Sequence, residues 1–199
     1  MDVRTRIMEE ATGQFFKYGI RNVTMDEIAA SLGISKRTVY EAFKDKTELV
    51  QTCIKGLSRL QDQKNQEIIL GSANVIEAIF LFMQEGIKAM NSINPVFFTD
   101  IRKYYPGIWK PLHDENREKA HRITHTLLRK GLNEGLFRKD IHVGIVSKLF
   151  HEQMNLLADE KIFPRDEYTP SEVFKNLVIS FTRGISTNKG IEIIDRILG

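Results

Sequence analysis

The run Ser35-Lys36-Arg37-Thr38 places two hydroxyls, an ammonium and a guanidinium on consecutive positions. Such groups donate to phosphate oxygens and to the acceptor edges of bases, so at an exposed helix start they suit a nucleic-acid surface. Tyr40, just beyond, can add a phenol hydrogen bond. Thr24 and Lys46 flank the run at the starts of two further helices, where free backbone N–H groups and the helix dipole already favour a phosphate. Acidic and basic side chains balance within residues 1–50, so the same letters also suit a solvated face. Affinity for DNA would then have to come from paired sites rather than from a broad basic surface.

These groups need elements to carry them. Ile7, Ala11 and Phe15 recur four apart, which predicts a helix near residues 3–18 with Gly19 as its C-terminal cap. Thr24 followed by Glu27 is the capping-box pattern, and Ile28, Ala29 and Leu32 give the next helix its buried face. Gly33 marks a sharp turn, and Ser35 caps a helix carrying Val39 and Tyr40. Asp45 with Glu48 starts a long helix through Leu49, Ile54, Leu57 and Leu60. Two short helices around one glycine make a helix-turn-helix, whose second helix is held proud for the major groove.

Helical periodicity continues to the end, and the chain is expected to be all-α. Breaks fall at Gly71-Ser72, Asn94-Pro95, Pro106-Gly107, about Gly135 to Asp140, and Phe163-Pro164. The expected division is a three-helix DNA-binding domain over residues 1–46 and a helical domain for ligand binding and dimerisation over 47–199. The 199 residues are 42% hydrophobic with a formal charge of +3, which suits a protein with a proper core and permits an anionic partner. One cysteine, Cys53, allows no intrachain disulfide, and the N-terminus does not resemble a signal peptide. The expected location is the cytoplasm, with no membrane partner.

The stretch TMDEIAASLGISKRTVYEAFKDKTELV, preceded by RIMEEATGQFFKYG, resembles the DNA-binding domain of the TetR (tetracycline repressor) family of bacterial transcription regulators. The resemblance covers about the first fifty residues, including the threonine before the second helix and the tyrosine ending the third. It implies phosphate contacts from Thr24, Tyr40 and Lys46 and groove contacts from Ser35, Lys36, Arg37 and Thr38. Arg37 departs from the common small residue, and a long cation there can read a guanine or take a phosphate. The resemblance further implies a repressor that binds a palindromic double-stranded operator as a homodimer, and a C-terminal bundle that dimerises through its last two long helices and encloses a pocket for a small hydrophobic or amphipathic effector.

In that bundle Val173, Leu177, Phe181 and Ile185 recur at four-residue spacing, and Leu149, Met154 and Leu157 do similar work on the preceding helix. They are dimer candidates, with core packing as the other reading. The aromatic-rich RKYYPGIWKPLH segment suggests a pocket wall, making Phe80, Met83, Phe97, Tyr105, Trp109 and His113 the pocket candidates. Again core packing is the plain alternative. Glu118, His121 and His125 share helical spacing that can turn carboxylate and imidazole toward a metal, yet no second Glu-x-x-His completes a dinuclear centre. No metal and no cofactor are therefore expected. No nucleophile motif or phosphate loop supports an enzyme. The rival to a regulator is a helical small-molecule or metal-binding protein whose helix-turn-helix is purely structural.

Overall fold

The computed structural model describes residues 2–157 and 159–199. Ten helices form among the described residues: α1 Val3–Tyr18, α2 Met25–Ser31, α3 Lys36–Ala42, α4 Lys46–Gly71, α5 Val75–Ser92, α6 Pro95–Tyr104, α7 Pro106–Asn133, α8 Val143–Leu156, α9 Pro170–Ile185 and α10 Asn188–Leu198. The only β pairing among the described residues is an isolated bridge between Phe137 and Ser186. The all-α expectation holds, with the first helix and the breaks where periodicity and turn residues place them, except that Pro106 and Gly107 open α7 and the break falls at Tyr105. Helix α10 was not anticipated, although Thr187 caps it through Gly190 N–H and Ile191, Ile194 and Leu198 give it helical spacing. No described helix is long and apolar enough to cross a membrane.

The chain divides into two compact units, one of residues 1–64 with 92–114, the other of residues 65–91 with 115–199. This line differs from a division at residue 46, because α6 packs on α1 and the opening of α4 shares a core with the first three helices. In the first unit Ile7, Ala11 and Phe15 of α1 meet Ile28 and Ala29 of α2, Val39 of α3, and Leu49, Val50 and Cys53 of α4. Fully burying side chains of this size contributes about 1.5–3 kcal/mol each. That core holds the short α2 and α3, neither of which would persist alone. Burial raises the Cys53 thiol to about 11, so it is packing rather than a reactive group.

The second unit centres on Val75, Ile76, Phe80 and Met83 of α5, Leu127 and Leu128 of α7, Phe137, and Phe174 and Val178 of α9. Its C-terminal corner is tied by Arg138 N–H donating to the Ile185 carbonyl and Thr187 N–H to the Leu136 carbonyl, both at 2.9 Å. A capping box at Thr169 and Glu172 starts α9. Helices α4 and α7 each contribute residues to both units.

Candidate nucleic-acid interface

The turn between α2 and α3 shows why glycine stands at position 33. Its φ is +65° and nothing lies within 4 Å of where a Cβ would sit, so the requirement is conformational rather than steric. Gly33 N–H donates to the Ala30 carbonyl at 3.1 Å and Ile34 N–H to the Ala29 carbonyl at 3.0 Å, a Schellman closure of α2. The chain then enters α3 at Ser35, whose hydroxyl accepts from Thr38 N–H at 3.1 Å and lies 2.9 Å from the Thr38 hydroxyl. Val39 is the buried anchor of α3. Around it, Ser35, Lys36, Arg37 and Tyr40 are exposed and Thr38 is half-buried, so the structure brings these five candidates onto one short helix start.

Their charges are already partnered. Lys36 Nζ sits 2.5 Å from an Asp26 carboxylate oxygen and Arg37 Nε sits 2.7 Å from Glu41. The Asp26 bond raises the Lys36 pKa. Exposed pairs of this kind are weak and screened by solvent, so a phosphate or a base edge can replace either carboxylate at small cost.

Thr24 caps α2 in a reciprocal box: its hydroxyl accepts from Glu27 N–H at 3.1 Å, and its own N–H donates to the Glu27 carboxylate at 2.7 Å. That backbone bond, then the Thr24 hydroxyl, holds Glu27 below the ordinary carboxylate range. Lys46 opens α4 half-buried and donates to the Arg21 carbonyl at 3.4 Å. Burial lowers its pKa, while Asp100 and Glu27 pull the other way.

Two supporting residues escaped the sequence reading. Arg4 of α1 donates to the Ala42 carbonyl at the end of α3, pairs with Glu48 and lies 4.0 Å over the Phe43 ring. Asp100 of α6, 6% exposed, accepts from Arg21 N–H at 2.7 Å. The approach needs Gly19, at φ +83°, where a Cβ would lie 2.9 Å from the Asp100 carboxylate and 2.7 Å from Val96. Asn94 adds its side-chain N–H to the Lys17 carbonyl, and Phe97 stacks edge-on against Phe16. Thus α6 fixes the turn that carries Thr24 and supports Lys46. No local signal announces a contact spanning 79 positions.

A concave stretch along α1 and α2 is lined by Arg6, Glu9, Glu10, Gln14, Lys17, Glu27 and Ser31 among others. Its carboxylates have the wrong sign for a phosphate, and Glu10 is occupied in joining the helices through the Ser31 hydroxyl at 2.6 Å.

The pocket candidates fall into different cores. Phe80 and Met83 are buried in the second unit; Phe97 is buried in the first, with Tyr105 and Trp109 packed against that core and His113 stacked on Trp109. Of the dimer candidates, Leu149 is 55% exposed, in line with Ile145 and Leu156 on α8. Val173 and Leu177 are half-buried, Met154, Leu157 and Phe181 pack partly against the core, and Ile185 lies within it. Glu118 pairs with Arg122, and His121 lies against His151. Among the described residues no group of three or more His, Cys, Asp or Glu is placed to hold a metal.

Comparison with known proteins supplies a context for this geometry. Residues 7–53 match the profile of bacterial regulatory proteins of the tetR family. The chain is 24% identical over 185 residues to YvaF, an HTH-type transcriptional regulator of Bacillus subtilis strain 168, covering 92% of this chain and 96% of that one. It is 26% identical over 153 residues to the HTH-type transcriptional repressor KstR2 of Mycobacterium tuberculosis, covering 75% and 76%. Among solved structures, a transcriptional regulator from Saccharomonospora viridis in complex with choline superposes with a TM-score of 0.74 at 17% identity, over 93% of this chain and 98% of that one. The M. tuberculosis ketosteroid regulator KstR2 gives 0.58 at 22% identity, over 94% and 96%. At these identities the structural likeness speaks to the fold.

Proposed function

We propose that this chain, whose residues 7–53 match the profile of bacterial regulatory proteins of the tetR family, is a cytoplasmic repressor of that family that binds a palindromic operator as a homodimer and leaves it when a small hydrophobic or amphipathic molecule occupies the second unit. The carrying observation is the α3 face, with Ser35, Lys36, Arg37 and Tyr40 exposed around the buried Val39. Its relatives are transcriptional regulators, and the proposed role is regulatory rather than enzymatic. In this reading Thr24, Tyr40 and Lys46 take phosphates while Ser35, Lys36, Arg37 and Thr38 face the groove.

A single short recognition helix binds weakly, and two of them about 34 Å apart read two half-sites one DNA turn apart. The exposed Ile145, Leu149 and Leu156 on α8, with Val173 and Leu177 on α9, supply an apolar surface for the partner copy. One relative's structure holds choline and another is described as a ketosteroid regulator, which supports a small organic effector. Helix α4 begins at Lys46 and ends in the second unit. An effector that prefers one placement of α4 would shift the recognition helices out of register with the operator.

The test is selection of bound sequences from random duplex DNA by the purified protein at near-physiological salt. Enrichment of a palindrome with half-sites one helical turn apart is expected. Folded, dimeric protein that enriches nothing would overturn the proposal.

A further inference from the structure

His151 on α8 has a ring nitrogen, Nε2, that is buried and has no hydrogen-bond partner. Buried polar atoms without partners are few in any fold, and each asks for a reason. Its ring lies 3.8 Å, centroid to centroid, from that of His121 on α7, tilted by 43°. Both side chains are only partly buried, so the pair stands at the edge of the second unit's core, within reach of solvent. Phe150 packs edge-on against His151 at 5.6 Å and lies tilted by 50° against Phe181 of α9 at 4.7 Å. Polar nitrogens therefore end where an aromatic wall begins.

The charges around the pair select the kind of group that would complete it. Burial, then His121 and Arg117 on α7, push the His151 pKa down, and Glu152 on its own helix pulls it up. A cationic ligand would meet Arg117 and, when protonated, both imidazoles. An alcohol would satisfy one nitrogen without charge assistance. A carboxylate can accept from two imidazolium N–H groups and draw on the Arg117 field, the strongest pairing open to these residues. Two histidines alone make a poor metal site.

We propose that His121 and His151 form the polar end of a binding site for a monocarboxylate with an apolar body, whose body lies on Phe150 and Phe181. The proposal rests on the effector reading above and specifies the effector's chemistry. Binding draws a proton onto His151, so affinity rises as pH falls toward the histidine range while the ligand stays ionised. Glu152, the carboxylate beside His151, opposes the ligand.

Octanoate, octan-1-ol and octyltrimethylammonium separate these chemistries by calorimetry on the full-length protein, in buffers of different ionisation enthalpy. Octanoate is expected to bind with proton uptake, to shift the ring-proton resonances of His121 and His151, and to bind about tenfold more tightly than the alcohol. His151→Leu should remove that preference while leaving octan-1-ol affinity unchanged. His121→Leu, with its fold checked by circular dichroism, should do the same if His151→Leu fails to fold. Equal binding of acid and alcohol, octanoate affinity untouched by these substitutions, or no octanoate binding at millimolar concentration would each overturn the carboxylate site. Selected operator DNA separates the two readings. Operator binding without octanoate binding overturns the carboxylate assignment alone, whereas octanoate binding at the pair with no release of operator overturns the effector role and upholds the site.

Discussion

In the first unit the polar side chains named for DNA are already engaged: Lys36 with Asp26, Arg37 with Glu41, Thr24 with Glu27 and Lys46 with the Arg21 carbonyl. In the second, Ile145, Leu149 and Leu156 stand exposed on α8 and His151 keeps a buried nitrogen without a partner. The charged groups of the first unit offer weak, exchangeable contacts. The second leaves apolar surface and a polar atom that only another molecule would satisfy. A unit that reads DNA gains from interchangeable partners, because specificity is a difference between nearly equal exchanges. A unit that senses and assembles gains from unmet ones, because occupancy then changes its energy most.

The most severe way to break this comparison is inside the second core. Phe137→Ala removes a fully buried ring and should cost about 3–5 kcal/mol in urea unfolding; a loss below about 1 kcal/mol would mean the corner repacks. Asp100→Ala leaves Arg21 N–H without its acceptor and should cost about 1–3 kcal/mol. Asp100→Asn, which keeps an acceptor, should cost less, and equal losses would deny the bond its role. On DNA, Arg37→Ala should cost about 1–3 kcal/mol on the selected operator and relax specificity at one position, whereas Lys46→Ala should weaken operator and random DNA alike and lower the salt slope by about one. Equal losses for Arg37→Ala on both DNAs would remove Arg37 from base reading.

The gentlest test is acid. Glu27 and Glu172 are held below the ordinary 4.5 by their capping boxes, and Glu48 by Arg4 and then Lys44 N–H. A lowered folded pKa gives stability that is present above the unfolded value and disappears as pH falls through the folded one. Thermal melts taken from neutral pH to below 4.5 should therefore drop, and Glu27→Gln should flatten part of the drop. A variant curve parallel to the wild type would mean that the box contributes nothing measurable.

What could be read from the letters was what is local. The boxes at Thr24 and Glu27 and the Gly33 turn lie within a few residues, and the structure has them where spacing puts them. The division of the chain was not legible, because α6 reaches α1 through Asp100 and Asn94 from far along the sequence. Helical spacing grouped His121 with Glu118 and His125 on one helix, but the neighbour that matters, His151, comes from α8, and Glu118 turns to Arg122. The aromatic pocket candidates look alike in sequence, and only packing separates those in one core from those in the other.

The paired cations of α3 also bear on time. If α3 reads DNA as proposed, a helix whose Lys36 and Arg37 each keep a carboxylate within 3 Å would present little net field to a passing duplex, and its hold on arbitrary sequence would be brief. Brief stops shorten the search along a chromosome, where wrong sites vastly outnumber right ones. Asp26 and Glu41, through the cations they pair with, would then set how fast the operator is found.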